Sequence, residues 1–175
     1  MATAQHVRQD LLGIYLNDHL AGSTTGLELA RRMVASAESE SESASESATV
    51  LRGLAAEIAA DRSALLAIMA TLGIPVRGYK VFAAWAGEKI GRLKLNGHLL
   101  SKSPLSSLEE TEILRLGVEG KACGWRTLRA LASRDSRLDA GHLDELLARA
   151  DRQSSALETL RASIAEQALT ASARQ

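Results

Sequence analysis

The sequence predicts an all-α protein folded as one four-helix bundle over residues 1–175. Three observations carry that expectation. Apolar residues recur three and four apart over four long segments, and no segment alternates with the period of two that a half-buried strand needs. Hydrophobic residues make up 46% of the chain, enough for a core, while aromatics make up only 3%, which argues against a β-sandwich. The turn signals Gly73 with Pro75, Asn96-Gly97 and Ser103-Pro104 fall between the long segments rather than at the regular short intervals of an all-β chain.

The first helix is expected from Val7 to Val34, with Leu12, Tyr15, His19, Gly22, Gly26, Leu29 and Met33 on one face. Ser36–Ser47 follows, reading SAESESESASES. With no apolar side chain larger than alanine, it is expected to be a flexible Ser/Glu linker, a solvated loop or a frayed helix extension, that buries nothing. The second helix is expected over Thr49–Leu72, with Thr49 as its cap and Gly73 just past its end. Its stripe is Leu51, Leu54, Ile58, Asp61, Leu65, Ile68 and Leu72, six aliphatics around one carboxylate.

Residues 73–104 form a crossover with a shorter helix over Tyr79–Leu93. Ser103-Pro104 opens the third long helix, Pro104–Ala132, because proline at the first helical position gives up no hydrogen bond. Its expected stripe is Ile113, Leu116, Gly120, Cys123, Thr127 and Leu131, which makes Cys123 a buried, inert thiol and leaves Trp125 to pack beneath the crossover. Gly117, Gly120 and Gly124 each cost roughly 1 kcal/mol relative to alanine. The expected return is close backbone approach to Gly22 and Gly26 of the first helix. The last helix is expected over Asp139–Leu169, with Leu143, Leu146, Ala150, Gln153, Leu157, Leu160 and Ile164 facing inward.

Two helical hairpins joined by a long crossover permit up-down-down-up connectivity. In that layout, and in the stretches LLGIYLNDHLAGSTTGLELARR and PLSSLEETEILRLGVEGKACGWRTLRAL, the chain resembles the ferritin-like four-helix-bundle superfamily and is similar to uncharacterised actinobacterial members. The resemblance implies a site built from a glutamate on each of two helices and Glu-x-x-His on the other two. Glu-x-x-His occurs nowhere in the chain, so the complete di-iron motif does not carry over.

The helix midpoints nevertheless fall near polar residues. His19, Asp61, Glu119 and Gln153 form one expected layer, with Glu57 a turn from Asp61. A carboxylate on an apolar face must be paired, hydrogen-bonded or protonated, and His19 is the expected partner of Asp61. The layer reads first as a structural hydrogen-bond network that sets helix register. Its alternative is a site for iron or another divalent metal in a ferritin-like oxidoreductase with a divergent carboxylate/His set; no cofactor is assigned, and the sequence leaves open whether the chain is an enzyme. His6, His98 and His142 are scattered near element ends.

Charge divides unevenly. Residues 1–72 carry a net −4, residues 73–104 a net +5, and residues 105–175 a net −1. Arg77, Lys80, Lys89, Arg92, Lys94 and Lys102 surround Tyr79, Phe82 and Trp85 in the middle segment. Such a mixture could hold an anion or a single-stranded nucleic acid, but the reading preferred over it is a crossover that buries its aromatics and solvates its charges. The chain as a whole is neutral, so no global field favours nucleic acid.

One cysteine excludes an internal disulfide. No apolar run approaches the roughly 18 residues that would span a bilayer, and the first residues hold no apolar signal segment, so a cytoplasmic protein is expected. The arginine excess over lysine, 16 to 5, is a bias common in GC-rich bacterial genomes. The favoured function is a structural or interaction module, with a homo-oligomer among its expected forms.

Overall fold

The computed structural model describes residues 2–39, 45–77 and 104–170, with side chains over 10–39, 46–77 and 105–170. Four helices and no strand occur among the described residues: α1 (Ala2–Ser39), α2 (Ser45–Thr71), α3 (Pro104–Leu131) and α4 (Ala140–Thr170). The expected short helix over Tyr79–Leu93 lies outside them, as do residues 40–44 of the expected linker.

The rest of that linker takes the form of helix extensions rather than of a loop, and it makes contacts that were not expected of it. α1 runs on to Ser39 and α2 begins at Ser45, so Ser36–Ser39 and Ser45–Ser47 are helical. Alanine and glutamate favour helix, and the segment also finds tertiary contacts. Ala37 packs against the core, and Glu38 pairs with Arg52 at 3.2 Å. Thr49 therefore lies inside α2 rather than capping it, and Ala48, one residue earlier, is already buried.

The far end of α2 closes as its sequence predicts. Gly73 takes φ 69°, the Gly73 N–H donates to Ala70 O at 3.0 Å, and the Ile74 N–H donates to Met69 O at 2.9 Å. This paired ending satisfies two helix-terminal carbonyls and needs a residue with positive φ. Buried Ile74 then seals the end, and Pro75 prevents the helix from resuming. Gly73→Ala is expected to lower stability by about 1–2 kcal/mol, the cost of a Cβ in left-handed backbone, measurable in a urea melt. α4 starts on a side-chain cap, with the His142 N–H donating to Asp139 Oδ1 at 3.1 Å.

α1 packs on α2, α3 on α4, α1 on α3, and α2 more sparsely on α4. Thr24 accepts from Arg62 and Glu38 meets Arg52 along α1 and α2. Arg129 meets Asp144 and Arg115 meets Glu158 along α3 and α4. Tyr15 bonds Thr127 between α1 and α3, while Glu57 meets Gln153 and Asp61 meets Arg149 between α2 and α4. The turn between α3 and α4 is tied to α2 by Arg137, which donates to Leu72 O at 3.2 Å.

The core gathers aliphatic side chains from all four helices, with Leu16, Met69, Leu128, Leu143 and Leu157 among those almost wholly enclosed. The expected stripes of α2 and α4 are the buried ones, except that Ile68 and Ile164 are half-buried. On α3 the expected stripe is displaced. Leu114, Val118, Ala122, Trp125 and Leu128 are buried, whereas Ile113, Leu116 and Cys123 are exposed. α3 carries two apolar rows one position apart, and the inner row holds the larger enclosed volume, including Trp125 at 2% exposure. Cys123 is thus a surface thiol, and Trp125 belongs to the bundle core. On α1 the inward face is likewise centred on Leu16, Leu20, Leu27 and Ala30, leaving Tyr15 and His19 half-buried at its edge.

Candidate ligand site between α1 and α3

Asp61 is 1% exposed near the middle of α2, and its carboxylate meets two cations. Lys121 Nζ donates to Oδ2 at 2.5 Å, and Arg149 Nε donates to Oδ1 at 2.7 Å. Gln153, also 1% exposed, donates from Nε2 to Asp61 Oδ2 at 3.1 Å and to Glu57 Oε2 at 3.0 Å, while its Oε1 accepts from Lys121 Nζ. Two carboxylates and two cations thus form one balanced network linking α2, α3 and α4. Burial pushes the Lys121 ammonium below its ordinary range, partly offset by Asp61 and reinforced by Arg149. The network is a costly feature held together by mutual satisfaction rather than a net source of stability.

Of the layer expected from sequence, hydrogen bonds join Glu57, Asp61 and Gln153, while Glu119 and His19 make their contacts with other residues. Glu119 is exposed and accepts from Ser154 Oγ at 3.0 Å. His19 packs edge-on against Tyr15, with ring centroids 4.5 Å apart, and faces Gly124, so Lys121 and Arg149 take the place expected for it beside Asp61. Burial lowers the His19 pKa from its ordinary value near 6.5, with Asp18 acting weakly the other way. Sequence reasoning missed Lys121 and Arg149 because charged residues on an amphipathic helix are normally solvated. The signal was present all the same: Lys121 stands three residues from Val118 and four from Trp125, on the inner row of α3.

Among the described residues no group of three or more His, Cys, Asp or Glu side chains is placed to hold a metal ion. Asp61 and Glu57, the carboxylates nearest the bundle centre, are engaged by Lys121, Arg149 and Gln153. Of the expected anion-binding set, Lys80, Lys89, Arg92 and Lys94 lie outside the described residues. Arg77 is described, and it is held to α1 by its backbone N–H, which donates to Asn17 Oδ1 at 2.7 Å, and by Asp10 at 3.9 Å.

Beside the network lies a cavity of about 420 Å³ between α1 and α3. Leu16, Ile58, Leu65, Leu114, Val118 and Leu128 supply apolar wall; Asp61 and Lys121 reach it from the network, and Asp18, His19 and Ser23 border it from α1. The glycines create it. Gly22, Gly26, Gly117 and Gly120 all line the cavity, and a Cβ built on any of them meets nothing within 4 Å. They therefore leave open space, contrary to the close backbone approach expected of them. Gly124, which also lines the cavity, is by contrast close-packed: a Cβ there would stand 3.2 Å from the His19 ring.

Four helical glycines forgo about 1 kcal/mol each without a packing return, and the return they do provide is room. Gly22→Ala, Gly117→Ala and Gly120→Ala are each expected to raise stability, by up to about 1 kcal/mol, in thermal or denaturant melts. Had these glycines served close approach, the same changes would be destabilising. Trp125 also lines the cavity, and its Nε1 is buried with no hydrogen-bond partner among the described residues. An unmet buried donor of this kind costs about 1–3 kcal/mol.

No protein-family model, curated protein or solved structure matches the chain. Fold and site define, among the described residues, a four-helix protein without strands, with an ionic network at its centre and an apolar cavity alongside. Among the described residues no helix is long and apolar enough to cross a membrane.

Proposed function

We propose that the protein is a ferritin-like helical bundle that has no di-iron chemistry and works as a binding module, holding an apolar small molecule between α1 and α3. Along each of the four packed helix pairs residue numbers run in opposite senses, as in Tyr15 with Thr127 and Glu57 with Gln153, which supports the up-down-down-up layout. The observation that carries the functional reading is the glycine-opened cavity. Its volume falls within the roughly 300–1,000 Å³ typical of small-molecule sites, and its walls are mainly apolar with few polar groups, as such sites are. Of the mid-bundle carboxylates, which a metal centre would need as ligands, Asp61 serves instead as counter-ion to Lys121 and Arg149, and Glu57 accepts from Gln153.

The test uses N-phenyl-1-naphthylamine, a neutral dye that brightens in apolar surroundings. The wild type is expected to enhance its fluorescence saturably. Gly117→Leu and Gly26→Leu, which place side chains in the cavity from opposite walls, are expected to abolish the enhancement while the far-ultraviolet circular dichroism stays helical. Enhancement that persists in both variants would locate the dye elsewhere and reject the reading.

A further inference from the structure

The row of α3 that stays outside the bundle keeps the spacing of a helix–helix seam. Glu109, Ile113, Leu116, Gly120, Cys123 and Thr127 follow one another at intervals of four, three, four, three and four residues, the alternation that lets one helix lie along another. All six are exposed, Leu116 at 71% and Ile113 at 40%, and of the six only Gly120 also lines the cavity. Single exposed aliphatics are ordinary on a protein surface, whereas aliphatics set in a seam suit a covering helix.

The charges beside the row identify that helix. Glu109 and Glu112 stand toward its N-terminal end, and Arg126, resting against Cys123 Sγ at 3.8 Å, stands toward its C-terminal end. The midpoint of the row is at the level of Val118. Arg126 lies eight residues beyond that level, Glu112 six before it and Glu109 nine before it, so Arg126 is displaced by about 12 Å along the axis and the carboxylates by about 9 and 14 Å in the other direction. A second copy of α3 running antiparallel about this midpoint brings the partner's Arg126 between Glu109 and Glu112, and two-fold symmetry repeats the contact. The same operation sets Leu116 opposite the partner's Gly120, a large side chain over a position that has none, and Ile113 opposite the partner's Cys123. A parallel pair would instead stack Leu116 on its own copy and set like charges together at both ends. Self-complementarity about a two-fold axis is what a symmetric dimer requires.

We infer that the protein forms a symmetric homodimer by antiparallel pairing of the outer row of α3 with that of a second copy, centred at the level of Val118. The dimer does not depend on a ligand in the cavity. Each copy enters the interface already folded, because Leu114, Val118, Trp125 and Leu128 bury the inner row within one chain. Melts of protein dilute enough to be monomeric therefore report that core alone.

Sedimentation velocity of the full-length protein, from micromolar to near-millimolar concentration, tests this. The wild type is expected to shift reversibly from monomer to dimer. Leu116→Glu, at an exposed position, should stay monomeric throughout, with unchanged far-ultraviolet circular dichroism. Glu109→Arg and Arg126→Glu each set like charges against one another across the two-fold and should weaken the dimer at least about tenfold. Mixed in equal amounts, these two variants should form heterodimers about as tight as the wild-type dimer, since every contact between positions 109 and 126 again joins opposite charges. A wild type that remains monomeric overturns the inference, and the rate at which Cys123 reacts with a maleimide then shows whether the row is bare or covered by another segment of this chain. A dimer that survives Leu116→Glu uses a different surface and overturns it as well. A dimer lost in Leu116→Glu, but with charge variants that do not recover on mixing, overturns the antiparallel pairing.

Discussion

Asp61→Leu is expected to destabilise the protein by about 3–5 kcal/mol, because it leaves two cations facing each other without their shared counter-ion. Lys121 and Arg149 both donate to this carboxylate, and their side chains are only 13% and 27% exposed. Neither can be fully solvated in place, and Gln153 cannot replace a negative charge. For a chain of this length the loss corresponds to a fall of roughly 6–20 °C in Tm. The triple change Asp61→Leu, Lys121→Met and Arg149→Met removes the whole ionic core of the network and should recover most of that loss, since apolar replacements of buried ion pairs are often neutral or better. Differential scanning calorimetry of the single and triple variants makes the comparison. A single variant that melts like the wild type would show that solvent already screens the cations.

The second large effect distinguishes the two apolar rows of α3. Leu114→Ala should cost about 2–5 kcal/mol, because Leu114 is 2% exposed and its removal opens a void in the core. Leu116→Ala, two positions along the same helix at 71% exposure, should change stability by no more than about 0.5 kcal/mol. The substitution is chemically identical at both positions, so helix propensity cancels and burial alone separates them. Guanidinium melts of the two variants decide the matter. Equal losses would place the inner face of α3 between the two rows, and a larger loss at Leu116 would restore the phase expected from sequence.

The Asp61 network and the glycines of α1 and α3 bear on stability and on the cavity in opposite ways. Filling Gly22, Gly117 or Gly120 should strengthen the helices and shrink the cavity, while stranding the Asp61 network should weaken the bundle without filling it. The cavity and the ionic network are neighbours with separable energetics, because Asp61 and Lys121 reach the cavity but take their hydrogen bonds from one another, Arg149 and Gln153.

Sequence by itself determined the helical class, the turn at Gly73 and the inward faces of α2 and α4. In α2, Leu51, Leu54, Ile58 and Leu65 form a single apolar row, and in α4 Leu143, Leu146, Leu157 and Leu160 do the same, so periodicity allows only one phase. Asp61 and Gln153 were legible as buried polar residues for the same reason: each interrupts a row that has no alternative. α3 is different, because Ile113 and Leu116 compete with Leu114 and Val118, and an isolated helix has no means of choosing between rows one residue apart. Packing against α1 and α4 made that choice, and with it carried Lys121 inward and left Cys123 outside. Long-range charge pairing is likewise absent from local pattern: Lys121 and Arg149 reach Asp61 across 60 and 88 residues of chain. The glycines show the same division most plainly. Their energetic cost can be read from the sequence, but only the separation of α1 and α3 decides whether a missing Cβ admits a neighbouring backbone or leaves a cavity.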